Sequence, residues 1–216
     1  MARLFAALIR HGEYAQLPDT PSAHQPFALT TTGGQQARAA AQLIAATLDE
    51  TRWSLAPEVD CSQLQRAWQT ARLIVEGLQD KFSSPMQLVE FAALAERSVG
   101  IVGNLTLQQI ESVIADDPRY PVPPADWKSN SDYCLPLPGA ESLMQAGERV
   151  AVHIERRMQQ LAAVADGDTL RLFVGHGAAF RHAALEMGVL DGSQVARLSM
   201  HHAVPVYLEY LRGQIA

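Results

Sequence analysis

Cysteine is scarce in this chain, with Cys61 and Cys134 the only two among 216 residues. Two thiols cannot build a disulfide framework, and neither stands in the paired spacing of a zinc site. A reducing compartment is therefore expected. Charge is sparse as well, at 19% of residues, with a formal net charge of −6 and no long basic run. That balance argues against nucleic acid as a partner, although two or three local arginines can still hold a small anion against a distant acidic surface. No apolar stretch reaches the roughly 20 residues of a membrane-spanning helix. The N-terminus lacks the basic start, long apolar stretch and small-residue cleavage site of a signal peptide. The expectation is a soluble, cytoplasmic protein with no membrane partner; its oligomeric state is not legible in composition.

What the chain does have is apolar material, 48% of residues, enough for a large core. Its length is long for one domain and short for two, so residues 1–216 are expected to form a single domain. Short β-rich runs alternate with longer amphipathic ones. Strands are predicted near Leu4–Ile9, Val59–Cys61, Gln87–Glu90, Leu170–Val174 and Val204–Leu211. Helices are predicted near Gly34–Leu48, Gln65–Leu78, Leu107–Ala115, Glu141–Val164 and Ala178–Glu186. The alternation implies an α/β fold, a mostly parallel sheet flanked by helices in three α/β/α layers.

Two capping-box spacings, Ser62 with Gln65 and Thr106 with Gln109, mark helix starts. Glu141-Ser142 after Pro138-Gly139 reads as another, with the carboxylate complementing the helix dipole. The stretch "DDPRYPVPPADWKSNSDYCLPLPGAES" holds many prolines and little periodicity, which makes it loop. A connection that long is usually functional, and an inserted loop and helix lid around residues 95–140 is expected.

Parallel strands deliver their C-terminal ends to one edge of the sheet, where ligands bind. The residues just after the predicted strands are Arg10-His11-Gly12, Cys61-Ser62 with Arg66 one turn on, and Gly175-His176-Gly177. Two histidines and two arginines thus converge from distant parts of the chain. Histidine serves as nucleophile, acid or base near neutral pH, whereas arginine stays charged and offers a planar fork of donors to phosphate. Phosphoryl chemistry on a histidine is the reading this supports. Arg66 in the first turn of a helix capped by Ser62 would put backbone N–H groups and a guanidinium on one anion. Gly12 and Gly177, without a Cβ, would let that anion approach the backbone.

In order along the chain, "RHGE", "LTTTGGQQARAAAQLI", "CSQLQRAWQTARLI", "LAERSVG", "PGAES" and "FVGHGAAFR" resemble the histidine phosphatase superfamily, the phosphoglycerate-mutase-like fold. The resemblance implies that His11 is a nucleophile forming phosphohistidine, that Arg10 and Arg66 grip the phosphoryl oxygens, and that His176 stabilises the transferring group. It implies that Glu96 in "LAER" protonates the leaving oxygen. Neither metal nor cofactor is implied, and the partner is a small phosphorylated substrate.

The places where mutases carry a small hydroxyl residue and a phosphate-contacting asparagine hold Tyr14 and Leu17 here. The segment Ser98-Val99-Gly100 lacks the aromatic residue that mutases have before that glycine. These differences favour hydrolysis over mutase transfer. A phosphoprotein phosphatase, suggested by Tyr14, and a non-catalytic anion-binding module are the other readings. The stretch "VGHGAAF" resembles a dinucleotide fingerprint, but its third glycine place holds Phe180. His153 and His182 read as packing or surface residues, and His201-His202 cannot clamp a metal from opposite faces of an extended segment. Tyr14, Trp127 and Tyr133 either line a substrate pocket or pack the loop.

Overall fold

Alternate residues of the first strand, β1 (Leu4–Arg10), feed two separate cores. Leu4, Ala6 and Leu8 belong to one cluster and Phe5, Ala7 and Ile9 to the other, because successive side chains of a strand point to opposite faces. An unbroken apolar run is what a strand covered on both sides needs. In the computed structural model, which describes residues 2–81, 85–195, 199–211 and 214–215, this strand lies inside a mixed sheet.

The remaining strands are β2 (Ser54–Ser62), β3 (Gln87–Phe91), β4 (Thr169–Gly175), β5 (Val206–Leu211) and β6 (Gln214–Ile215). They stand in the order β3-β2-β4-β1-β5-β6. The ladders among β3, β2, β4 and β1 are parallel, and those of β5 with β1 and β6 are antiparallel. Helices α1 (Thr31–Thr51) and α2 (Gln65–Gly77) pack on the Phe5, Ala7 and Ile9 face. After α3 (Leu107–Ala115), helices α4 (Leu143–Ala162) and α5 (Gly177–Glu186) cover the opposite face. A one-turn helix, α6 (Gly192–Val195), follows. Each fully buried aliphatic side chain at these two interfaces, such as Ile44, Ile74 or Ile154, contributes about 1.5–3 kcal/mol. The three-layer α/β/α expectation is met, with every predicted strand and helix in place.

The ends of elements are where local signals and tertiary structure part. Thr106 caps α3 in a full capping box with Gln109, as expected. Ser62 does not cap α2: the N-cap is Leu64, whose side chain makes no cap bond, and Ser62 is the last residue of β2, opposite Phe91 of β3. The start read at Glu141 moves to Leu143, because Ser142 forms the capping box with Gln145. The Glu141 carboxylate instead accepts from Arg149 Nη2 at 2.6 Å and from the Ser98 amide at 2.9 Å.

The proline-rich stretch before α4 is irregular, as predicted. Together with α3 it encloses a third, smaller cluster of Val99, Val102, Ile110, Ile114, Trp127 and Leu135. Among the described residues no helix is long and apolar enough to cross a membrane.

Candidate active site

β1, β2 and β4 run parallel and end side by side, with Arg10 opposite Gly175 and Cys61 opposite Val174. Register alone therefore brings His11, Ser62 and His176 together. The His11 amide donates to Gly175 O at 2.9 Å, which fixes the backbone at the tip of β1. The Gly12 amide donates to Thr70 Oγ1 at 3.0 Å, and that hydroxyl donates to Arg66 O at 2.7 Å, so α2 is tied to the same tip.

Arg66 is fully buried and is the hub of the site. Nη1 donates to Gln25 O at 3.0 Å and Nη2 to Ala23 O at 2.8 Å. Nε donates to His11 Nε2 and Nη2 to His176 Nδ1, both at 3.2 Å. Beneath the guanidinium lies the Tyr14 ring, 4.5 Å from the guanidinium carbon.

These bonds fix both tautomers, because a carbonyl only accepts and a guanidinium only donates. His11 Nδ1 donates to Gly12 O at 2.7 Å, so its Nε2 carries the lone pair. His176 has the opposite form: Nδ1 accepts from Arg66, and Nε2 donates to Ser62 Oγ at 2.9 Å. The rings are 5.1 Å apart. Burial first, and then the charge of Arg66, holds both imidazoles well below the ordinary value of 6.5, so both are neutral near pH 7.

Glu96 follows β3 and is 4% exposed. Its Oε1 accepts from the amides of Arg97 at 3.0 Å and of Ala179, in the first turn of α5, at 3.2 Å. The turn bearing it is clamped by Arg149, whose Nη1 donates to Ala93 O and Ala95 O and whose Nη2 donates to Glu96 O. Arg10 donates through Nη1 to Met200 O at 3.0 Å, and with Glu96 and Gly177 it lines a cavity of about 470 Å³. Burial lowers the Arg10 pKa, against the opposing charge of Glu96, but a guanidinium stays cationic.

The five residues expected to carry chemistry, His11, Arg10, Arg66, His176 and Glu96, are thus brought to one edge. The two glycines also have a packing reason to lack a side chain. A Cβ on Gly12 would sit 2.5 Å from the Gly33 carbonyl oxygen, and one on Gly177 would sit 3.0 Å from Arg10 Cδ. Backbone packing keeps Gly12 small, whereas Gly177 meets only the Arg10 side chain and also lines the cavity. Tyr14, 6% exposed, is a shelf under Arg66 and a T-shaped neighbour of His11 at 5.3 Å. Trp127 packs the third cluster and donates Nε1–H to Glu111 at 3.1 Å.

Sequence reasoning missed Thr70 and His202. His202 Nδ1 donates to His11 O at 2.7 Å, with its ring 5.5 Å from that of His11. Position after a parallel strand could not have found it, because it precedes the antiparallel β5. His182, read as packing or surface, is buried and lines the cavity, with Nε2 and Ser131 Oγ 3.0 Å apart. Both cysteines are free; burial raises Cys61 to about 12 and also raises Cys134. Among the described residues no group of three or more histidine, cysteine, aspartate or glutamate side chains could hold a metal ion.

Residues 6–216 match the profile of the histidine phosphatase superfamily (branch 1). A 2,3-bisphosphoglycerate-dependent phosphoglycerate mutase of Parvibaculum lavamentivorans is 27% identical over 181 residues, which cover 84% of this chain and 78% of that protein. Among solved structures, mycobacterial hydrolase 2 superposes with a TM-score of 0.72 at 21% identity, covering 100% of this chain and 88% of the other. A mycobacterial glucosyl-3-phosphoglycerate phosphatase superposes with a TM-score of 0.65 at 21% identity, covering 96% and 89%.

Proposed function

The chain belongs to the histidine phosphatase superfamily, and on that premise we propose that it is a metal-independent phosphatase, hydrolysing small phosphorylated metabolites of the cytoplasm through phosphohistidine at His11. One observation carries the reading: a neutral His11, its proton held on Nδ1 by Gly12 O, directs the Nε2 lone pair at a buried guanidinium. A phosphoryl group entering here replaces two imidazole nitrogens as the acceptor for Arg66. Neutral acceptors keep the cation in place, and an anion displaces them because a charge-assisted bond is the stronger.

In the first half-reaction His11 Nε2 forms a bond to phosphorus as the bond to the ester oxygen breaks. Positive charge that develops on the ring is stabilised at Nδ1–H by Gly12 O. Arg10 and Arg66 hold the equatorial oxygens, and His176 supports the transferring group. Glu96 gives its proton to the departing alkoxide; Oε2 suits this role, since the two backbone amides bond to Oε1. In the second half Glu96 takes a proton from water, whose oxygen attacks phosphorus, and the P–N bond breaks to release phosphate and free His11. Splitting the reaction lets one cationic cage serve both halves of a hydrolysis that enzymes accelerate by up to about 10²¹-fold.

The mutase relative supports a second reading, in which an acceptor hydroxyl takes the place of water. Tyr14 and Leu17 favour hydrolysis. Rapid quenching during turnover in ¹⁸O-labelled water, after exhaustive EDTA dialysis, tests the proposal. The expected result is an acid-labile, base-stable adduct on His11 and ¹⁸O in the released phosphate. Label on His176, or activity that EDTA removes and a divalent ion restores, would overturn it.

A further inference from the structure

Three hydrogen bonds join the segment Met200–Ala203 to the two residues at the tip of β1. Arg10 Nη1 donates to Met200 O at 3.0 Å, the Ala203 amide donates to Arg10 O at 2.8 Å, and His202 Nδ1 donates to His11 O at 2.7 Å. The segment precedes β5, the antiparallel neighbour of β1, so it reaches the tip from the side away from β4. Of the three bonds, only the last needs a particular side chain in the segment.

The backbone there is shaped for that contact. Ala203 is 2% exposed and has a φ of +56°, a left-handed conformation that is costly for a residue with a Cβ and persists only where its surroundings over-determine it. The turn is closed by the Val204 amide on His201 O at 3.4 Å and anchored by the Ala203 amide on Arg10. His202, the residue before Ala203, is thereby held half-buried, with its ring 5.5 Å from that of His11.

The peptide groups around His11 are each held in place. The His11 amide donates to Gly175 O, and Gly12 O takes the proton on His11 Nδ1. The peptide unit between them, His11 C=O with Gly12 N–H, is held by two side chains: His202 Nδ1 on the oxygen and Thr70 Oγ1 on the nitrogen. A peptide unit is planar, so fixing both ends fixes its rotation and sets where Gly12 and its carbonyl stand. Glycine is the residue whose backbone would otherwise rotate most freely. The donor nitrogen of His202 carries its proton in the neutral and the cationic ring alike, so the bond persists when that ring titrates.

We propose that His202 is a positioning residue for phosphoryl transfer: from the turn before β5 it locks the His11–Gly12 peptide unit and so aims the Nε2 lone pair of His11 at phosphorus. The inference rests on the phosphatase reading for the identity of the nucleophile. It gives His202 a part in orienting the nucleophile and none in gripping the anion, which falls to Arg10 and Arg66.

Two probes separate orientation from grip. n-Butylphosphonate occupies an anion cage without taking a bond from His11, whereas vanadate accepts a nucleophile as a fifth ligand and so reads the in-line placement of Nε2. His202→Leu keeps apolar bulk and removes the donor; His202→Asn keeps a donor, Nδ2, as far along the side chain as Nδ1. His202→Leu is expected to lower both the rapid-quench rate of phosphoenzyme formation and vanadate affinity by about tenfold or more, since a misplacement of about 1 Å can cost about 10²-fold. n-Butylphosphonate affinity, by calorimetry at fixed ionic strength, should change by less than about twofold. His202→Asn should return the rate and the vanadate affinity to within about threefold of the wild type. If His202→Leu fails to fold, His202→Ala removes the same donor without crowding the site.

Unchanged phosphoenzyme formation and vanadate affinity in the donor-less variant would overturn the proposal. So would equal losses for vanadate and n-butylphosphonate, or an Asn variant as impaired as the Leu one. A phosphoenzyme that forms equally fast with and without the donor leaves the phosphatase reading intact and removes only the role of His202. A wild type that forms no phosphoenzyme, yet loses its vanadate affinity selectively in His202→Leu, does the reverse.

Discussion

On the α4 face of the sheet, Arg157, Arg171 and His153 close on Glu58 and Asp60; at its C-terminal edge, Arg10 and Arg66 meet His11 and His176. The residue types are the same and the partners are not. Asp60 is fully buried and accepts from His153 Nε2 at 2.9 Å, from Arg157 Nε at 2.8 Å and from Arg171 Nη2 at 2.8 Å. Glu58 accepts from both arginines. Two carboxylates answer two guanidinium groups there, and the cluster has no charge left for a ligand. Among the described residues, Arg66 has only carbonyl oxygens and imidazole lone pairs as hydrogen-bond partners. What separates the structural arginine cluster from the proposed anion site at the sheet edge is the supply of carboxylates.

The sharpest break of that comparison is His11→Ala, expected to lower kcat/KM by on the order of 10⁴-fold or more, since the proposed reaction runs through the His11 Nε2 lone pair. Steady-state assay on an alkyl phosphate measures it. Appreciable residual turnover would mean that the edge cluster is not the reacting one.

In the other cluster, Asp60→Ala leaves Arg157 and Arg171 under-compensated beside Glu58. It should cost about 3–5 kcal/mol in urea unfolding while changing kcat/KM little at temperatures where the variant is folded. A stable but inactive Asp60→Ala would erase the distinction.

Vanadate sharpens it at a smaller scale. At about 100 times its dissociation constant it should stabilise the wild type by about 2.7 kcal/mol. Arg66→Met should lose that increment and Arg171→Met should keep it, as thermal scans with and without the anion would show.

The smallest effect is in the response to pH. His11 and His176 have folded pKa values held well below 6.5, while the unfolded chain titrates near 6.5. The unfolded state therefore binds more protons in the window between those values. Stability is complete above about pH 6.5 and falls on acidification, by up to about 1.4 kcal/mol per pH unit for each imidazole. His11→Gln should flatten the slope of ΔG against pH measured by denaturant unfolding. An unchanged slope would mean that the buried ring is not held neutral.

Much of this site was legible because its chemistry hangs on strand ends. Apolar runs located β1 and β4, parallel topology sent their ends to one edge, and Arg10-His11 and Gly175-His176 were simply the next residues. What failed was local inference at Ser62. Serine three residues before Gln65 reads as a capping box, but the hydroxyl is taken by His176, 114 residues away, and by the Leu64 amide. His153, flanked by Val152 and Ile154, read as packing or surface; its ion-pair role depends on Asp60, 93 residues earlier. His202 left no mark because it touches His11 through a backbone carbonyl, which any residue supplies.

By itself the sequence determined the layers, the strand ends and which residues gather at the C-terminal edge, since hydrophobic period and residue type are local properties that survive whatever the rest of the chain does. Tertiary structure alone decided which nitrogen of each histidine carries the proton, that Gly12 packs against the Gly33 backbone, and that Arg66 is buried among carbonyl oxygens and imidazole nitrogens. Each of these depends on a partner tens of residues away, and hydrogen-bond direction, steric exclusion and desolvation act only once that partner has been brought within a few ångströms.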